Sequence, residues 1–250
     1  MIAGHQSTTR HQRSMFKISF FAVVLTAAAL LCFTLSQAHA QSNDSAGDAA
    51  DAGDNDSEIV VARLIYDSGK SAVCFADQFL ATYARESGQN VRRTYAQIAL
   101  DSDKLFEHPF VVLSGQEAFT LSAAEKKNLK RYIDRGGFVL ASAGCSNVAW
   151  ARSFETIMAK LFGDEPFEPI GTDHPLFHTV YDIDHLGVRK AAGRVPIQAL
   201  TVDGRVRVLY SPLGLNDTGN AGGDCCCCGG SEITNARQIN VNALGYALTR

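Results

Sequence analysis

Residues 110–146 read FVVLSGQEAFTLSAAEKKNLKRYIDRGGFVLASAGCS and contain the clearest folding signal in the chain. Residues 110–113 and 138–141 are short, uninterrupted apolar runs, which are typical of strands buried on both faces of a parallel sheet. Between them, Ser122 and Glu125 have the spacing of a capping box, in which each side chain bonds the backbone amide of the other residue. This stretch therefore predicts a strand, a helix that begins after Ser122, and a second strand.

The helix of this unit has one apolar face. Leu129, Tyr132 and Ile133 lie three and four residues apart, and lysines and arginines occupy most of the remaining positions. Gly136 stands where a left-handed residue commonly ends a helix, just before the second apolar run. Two parallel strands joined by a helix predict a right-handed βαβ unit.

The segments on either side continue the alternation of strands and helices. Further strands are predicted at residues 59–66, 91–100 and 206–210. Further helices are predicted over residues 74–87, between Asn147 and Gly163, and over residues 235–248. In the helix after Asn147, the predicted buried stripe consists of Val148, Phe154, Ile157, Met158 and Leu161. Residues 164–194 and 213–230 read as irregular loops. This pattern predicts a three-layer α/β sandwich with a mainly parallel sheet.

Composition and charge bound the class of protein. The chain has 250 residues, 46% of them hydrophobic, and a formal net charge of -3. This length can bury one sizeable core, and the near-neutral charge without a long basic run gives no reason to predict a nucleic-acid partner. The sequence contains no P-loop, no Gly-x-Gly-x-x-Gly motif for dinucleotides and no His-Glu-x-x-His motif of zinc proteases, so no cofactor is predicted.

The N-terminal region predicts export. Lys17 precedes an apolar run over residues 18–35, and Ala38-His39-Ala40 follows with the small residues of a cleavage site. We expect a signal peptide over residues 1–40, with Met15 as an alternative start, and a mature protein in the periplasm or outside a bacterial cell. An uncleaved membrane tether is the alternative, because the run is near the minimum length that spans a bilayer. Residues 41–57 are mostly aspartate, alanine, glycine and serine, and this composition predicts a disordered acidic linker before a domain at 58–250.

Cysteine usage agrees with export. Of the seven cysteines, Cys32 lies in the predicted signal peptide, and the other six are Cys74, Cys145 and the run 225–228. An oxidising compartment favours disulfides, with Cys74 or Cys145 as the partner of the run. The alternative is a metal site, because Cys225 and Cys228 have the two-residue separation of zinc ligands.

Two regions contain candidate site residues. Ligands of open α/β sheets bind outside the carboxyl ends of the strands, where this sequence has Ser114, Gly115, Gln116 and Ser211. Cys145 also falls there, between a predicted strand and a predicted helix, which is the position of a nucleophile elbow. A helix N-terminus would lower the pKa of its thiol. Cys145 nevertheless lacks the flanking glycines of a glutaminase elbow, so a structural or disulfide-bonded cysteine remains open.

The second region is the irregular segment around Asp173, His174 and His178. Imidazoles and carboxylates gathered there could bind a divalent metal or a polar ligand. Alternatively, His174 and Pro175 only build a turn, and the acidic residues are solvated. The two histidines share a face only if the segment is helical.

Several short motifs, in order along residues 58–249, resemble a bacterial family named domain of unknown function 4159 (DUF4159). They are HPFVVLSG at 108–115, LKRYI at 129–133, GGF at 136–138, DHPLF at 173–177, LYSP at 209–212 and NVN at 240–242. The resemblance implies a flavodoxin-like sandwich similar in fold to class I glutamine amidotransferases, but it implies no activity. The sequence therefore predicts an exported, non-catalytic domain that binds a small ligand or an envelope protein. The alternative is an envelope hydrolase or amidase that uses Cys145 or a metal held by Asp173, His174 and His178.

Overall fold

The computed structural model describes residues 58–67, 69–71, 74–188, 193–221, 225 and 232–249. The predicted signal peptide and linker lie outside these ranges. Within them, no helix is both long and apolar enough to cross a bilayer.

A seven-stranded sheet forms the middle layer, in the order β2-β1-β3-β4-β7-β6-β5. The strands are β1 (Ala62–Ile65), β2 (Ala96–Ala99), β3 (Phe110–Gly115), β4 (Phe138–Ala143), β5 (Glu168–Pro169), β6 (Gln198–Val202) and β7 (Arg205–Ser211). The first five strands in this spatial order pair in parallel, whereas β6 and β5 add an antiparallel edge. Numbered among themselves, the parallel strands have the order 2-1-3-4-5 of flavodoxin-like sheets.

Two helices cover each face of the sheet. α1 (Gln78–Ser87) and α4 (Ala236–Leu248) contribute to one apolar cluster, and α2 (Ala123–Asp134) and α3 (Val148–Phe162) contribute to the other. Alternate residues of the central strands enter the two clusters, because successive strand side chains point to opposite faces. The predicted three-layer α/β sandwich is confirmed.

The predicted βαβ unit is confirmed in detail. Ser122 Oγ accepts a hydrogen bond from the Glu125 amide at 3.2 Å, and Glu125 Oε2 accepts one from the Ser122 amide at 2.7 Å. Gly136 has a φ of 92°, which a residue with a side chain rarely adopts. β3 and β4 pair in parallel over six residues, all of them buried.

Two predictions about helices were wrong. α1 begins at Gln78 rather than at residue 74, because Cys74 and the residues after it belong to a loop that contacts Asn216. In α3, Val148 is 48% exposed, and Trp150 is fully buried instead. Trp150 precedes Phe154 by one helical turn, whereas Val148 lies on another face of the helix.

The sequence did not lead us to predict the antiparallel edge that β5 and β6 form. β6 and β7 form a hairpin whose turn residues, Asp203 and Gly204, both have positive φ values, of 52° and 73°. Asp-Gly between two strands is a strong hairpin signal, because these residues tolerate that backbone. The irregular segment before β6 also contains β5 and a 3-10 turn at Pro175–His178.

Candidate functional site

A cavity of about 250 Å³ opens at the carboxyl ends of β1 and β3. Its walls come from the loops after these two strands, and they include Tyr66, Lys70, Ser71, Gly115, Gln116 and Glu117. In a sheet of this strand order, β1 and β3 flank the topological switch point, where the connections leave the sheet in opposite directions. The cavity therefore occupies the usual ligand position of the fold.

The Tyr66 side chain fixes one wall of the cavity. Its hydroxyl donates to the Ser114 carbonyl at 2.9 Å and accepts from Trp150 Nε1 at 2.7 Å. Burial raises the pKa of Tyr66 to about 12, so this group stays neutral in ordinary conditions. A Cβ at Gly115 would lie 2.6 Å from Trp150 Nε1, and only glycine leaves room for the Tyr66–Trp150 pair.

The loop after β1 is held by charged side chains. Glu125 Oε1 accepts from the Asp67 amide at 2.8 Å, so the capping-box carboxylate also ties this loop to α2. Lys70 Nζ lies 3.0 Å from Asp67 Oδ2 and donates to the Ala118 carbonyl at 2.9 Å. The hydrogen bond from Lys70 lowers the pKa of Asp67. The Lys70 charge is therefore partly neutralised beside the cavity.

Ser71 has a polar atom that needs a partner. Within the part of the chain that the structure describes, Ser71 Oγ is buried and has no hydrogen-bond partner. A buried hydroxyl without a partner costs about 1–3 kcal/mol. A polar group of a ligand in the cavity would remove this cost.

Cys145 has the backbone of an elbow but is oxidised. It lies between β4 and α3, as predicted, with φ 52° and ψ 31°, and Asn147 Oδ1 caps α3 by accepting from the Trp150 amide. Gln116 Nε2 approaches Cys145 Sγ at 3.5 Å, which connects Cys145 to the cavity wall. Cys145 is disulfide-bonded. A disulfide sulfur is not a thiolate, so Cys145 is no nucleophile in this state.

A second disulfide joins Cys74 to Cys225. The prediction that the cysteine run pairs with Cys74 or Cys145 is confirmed for this bond. Because the Cys225 sulfur is bonded to Cys74, it is not available to hold a metal in this oxidised state. Cys228, the other member of that candidate metal pair, lies outside the described residues.

Asn216 organises the loops beneath the carboxyl edge, and the sequence reasoning missed it. It is fully buried and bonds Ser114 Oγ, Ser142 Oγ and the Cys74 carbonyl. Its only sequence signal is a place in an Asn- and Asp-rich loop. Ser211 Oγ similarly accepts from two loop amides and donates to the Pro196 carbonyl. Of the predicted ligand-binding residues, Gly115 and Gln116 thus line the cavity, whereas the Ser114 and Ser211 hydroxyls bond within the protein.

The Asp173–His178 segment contacts α4 and not the cavity. His174 Nδ1 accepts from the Leu176 amide at 3.1 Å, and burial lowers the pKa of His174. His178 Nδ1 bonds Asp182, and its Nε2 bonds the Thr172 carbonyl at 2.7 Å. Both ring nitrogens of His178 are thus occupied by hydrogen bonds, and the bond to Asp182, followed by that to Thr172, raises the pKa of His178.

Among the described residues, no group of three or more His, Cys, Asp or Glu side chains could hold a metal ion. Asp173, exposed beside His174, therefore has no candidate metal cluster around it in this part of the chain. His174 instead caps the 3-10 turn, as in the interpretation that His174 and Pro175 build a turn.

The sequence also matches a known family. The model of the family described as Domain of unknown function (DUF4159) matches residues 60–248. The chain belongs to the DUF4159 family. None of the curated proteins compared with this DUF4159 chain matches it. Its similarity to class I glutamine amidotransferases stays a prediction.

The structure gives the DUF4159 motifs of this chain a structural role. His108 Nδ1 donates to the Val60 carbonyl at 2.9 Å, and Tyr132 Oη donates to the His108 carbonyl at 2.9 Å. In α4, Asn240 Nδ2 donates to the Leu215 carbonyl, and Asn242 bonds the backbone of residues 180–181. These motif side chains join distant segments of the fold.

Proposed function

We propose that this DUF4159 domain is a non-catalytic domain of the bacterial cell envelope that binds a small polar ligand in the cavity between β1 and β3. The observation that carries the proposal is the Ser71 hydroxyl, which has no hydrogen-bond partner among the described residues and lies in a cavity at the switch point of the sheet. Buried polar groups without a partner are rare in proteins, and ligands of such sheets bind at this point.

The walls of the cavity indicate the chemistry of the ligand. Gln116 offers an amide, Glu117 a carboxylate and Ser71 a hydroxyl, while the Tyr66 ring gives an apolar surface. Drug-sized ligands occupy pockets of roughly 300–1,000 Å³, and this cavity is smaller, at about 250 Å³. A ligand the size of an amino acid or a single sugar ring, with several hydrogen-bonding groups, fits these walls.

Two observations favour binding over catalysis. Cys145 is disulfide-bonded, which removes the thiolate that a cysteine hydrolase needs. The histidines of the described ranges also bond elsewhere: His108 to Val60, His174 to Leu176, His178 to Asp182 and His185 to Asp184. Disulfides persist in oxidising compartments, which supports the proposed location in the envelope.

The second candidate is an envelope hydrolase or amidase that uses Cys145. The left-handed backbone of Cys145, at a junction between a strand and a helix, favours it. This activity requires reduction of the Cys145 disulfide. It predicts amide hydrolysis only after mild reduction, and loss of that hydrolysis in Cys145→Ser.

The binding proposal is tested by thermal unfolding of the oxidised protein against a panel of amino acids, sugars and small organic acids. A ligand at about 100 times its Kd stabilises the native state by about 2.7 kcal/mol. Ser71→Ala and Gln116→Ala should each weaken binding of a hit about tenfold, which corresponds to one lost hydrogen bond of about 1.4 kcal/mol. Gln97→Ala, at an exposed position of β2, is the matched control and should bind normally. A ligand that binds Ser71→Ala and Gln116→Ala as tightly as the wild type would contradict the proposed site.

A further inference from the structure

A second concave surface lies at the opposite end of the sheet, where β3, β4 and β7 begin. It encloses about 770 Å³ and includes three arginines, Arg135, Arg205 and Arg207. We call it the arginine groove. Arg135 follows α2, whereas Arg205 and Arg207 lie two residues apart on β7 and therefore point to the same side of the sheet.

Backbone carbonyls and aromatic rings hold these guanidinium groups in place. Arg207 Nη1 donates to the Gly136 carbonyl at 2.8 Å, and Arg205 Nη2 donates to the Thr249 carbonyl at 2.5 Å. The Arg205 Cζ lies 5.1 Å from the centroid of the Tyr246 ring, and the Arg135 Cζ lies 5.2 Å from that of Phe106. The groups are therefore oriented before any ligand arrives, which lowers the entropy cost of binding.

Gly136 lies beside Arg207 at the end of α2. A Cβ at Gly136 would lie 3.4 Å from the Arg207 guanidinium, and the φ of 92° already disfavours a side chain. The glycine of the DUF4159 motif thus ends the helix, and its carbonyl accepts a hydrogen bond from an arginine of the groove.

The arginines of the groove have few acidic neighbours among the residues that the structure describes. Within the described ranges, Arg135, Arg205 and Arg207 take part in no ion pair with a carboxylate. Glu107 is the one acidic residue on the described wall of the groove. A guanidinium has five N–H donors, so each arginine that bonds one or two carbonyls keeps donors and its full charge.

We propose that the arginine groove binds a small, multiply charged oxyanion with phosphate or carboxylate groups. Planar guanidinium groups match the geometry of both oxyanions with two parallel hydrogen bonds. This site lies at the opposite end of the strands from the switch-point cavity. Its ligand is therefore independent of the ligand proposed above.

The test is isothermal titration calorimetry of the whole protein with pyrophosphate and, separately, citrate. Low and near-physiological salt are compared, because salt screens exposed charges. At least one of the two anions should bind, and the one that binds more tightly tells whether phosphate or carboxylate is preferred. Arg207→Gln should weaken binding at least about tenfold, and Arg207→Lys should also weaken it, because lysine cannot form the paired bonds.

Two further variants make the result specific. Arg135 lies at the exposed rim of the groove, and Arg135→Gln should weaken binding several-fold. Arg93→Gln removes an equal charge from an exposed loop and should leave binding unchanged. Far-ultraviolet circular dichroism checks that each variant is folded. The proposal is overturned if neither anion binds at about 10 mM and low salt. It is equally overturned if the folded Arg135 and Arg207 variants bind as tightly as Arg93→Gln.

Discussion

Replacement of Asn242 by alanine measures how strongly one side chain of α4 holds the loop that follows the 3-10 turn. Asn242 is fully buried. Its Oδ1 accepts from the Val180 amide at 3.2 Å and the Tyr181 amide at 2.8 Å, and its Nδ2 donates to the Tyr181 carbonyl at 2.8 Å. Each bond contributes about 1 kcal/mol net, and partners left without a bond in a partly buried place add to the loss. We expect Asn242→Ala to lower the free energy of unfolding by about 3–4 kcal/mol.

Asn240→Ala is the matched control, because Asn240 lies on the same helix and is equally buried. Its amide donates one bond, to the Leu215 carbonyl at 2.8 Å, and among the described residues its Oδ1 has no partner. Alanine removes that bond together with the unpartnered oxygen, so we expect a loss of about 1 kcal/mol.

Urea unfolding of both variants can be followed by tryptophan fluorescence. The chain has one tryptophan, Trp150, and its side chain is fully buried, so unfolding exposes a single reporter. The midpoint and the slope together give the free energy of unfolding. If Asn242→Ala lost no more stability than Asn240→Ala, the three hydrogen bonds would not explain the place of Asn242 in the fold.

Four further predictions concern other parts of the molecule. Cys74→Ala/Cys225→Ala should lose up to about 5 kcal/mol in urea unfolding, because the disulfide closes a loop with a sequence separation of 151; unchanged stability would contradict this. Tyr66→Phe should lose about 1–3 kcal/mol, because Trp150 Nε1 is left buried without its acceptor; Tyr95→Phe, which removes a bond to the Ala76 carbonyl, is the comparison. Burial raises the pKa of Tyr66 to about 12, so the contribution of this group to the free energy of unfolding is complete below pH 10 and is lost as the pH rises through 12. The free energy of unfolding of the wild type should therefore fall over that window more than that of Tyr66→Phe. His178, whose pKa is raised by Asp182, should titrate above its ordinary range by NMR, and Asp182→Asn should move the pKa back down.

The sequence predicted the βαβ unit well because its signals act over a few residues. The capping box joins residues three apart, and Gly136 acts on the helix that it ends. The same kind of local signal, Asp203-Gly204 between two apolar runs, was present for the β6–β7 hairpin and was missed. In α3 the helical period that joins Phe154, Ile157 and Met158 extends back to Trp150, one turn before Phe154, and not to Val148.

The sequence by itself therefore determined the alternation of strands and helices and the family, and it predicted that the cysteine run pairs with Cys74 or Cys145. Only the tertiary structure decided which of the polar residues meet. Tyr66 and Trp150 are 84 residues apart and form one hydrogen bond, and Arg135 and Arg207 line the same groove only because α2 ends beside the start of β7. Local propensities act within a turn or two of the chain, whereas a site depends on contacts that the packing of the whole sheet and its helices creates.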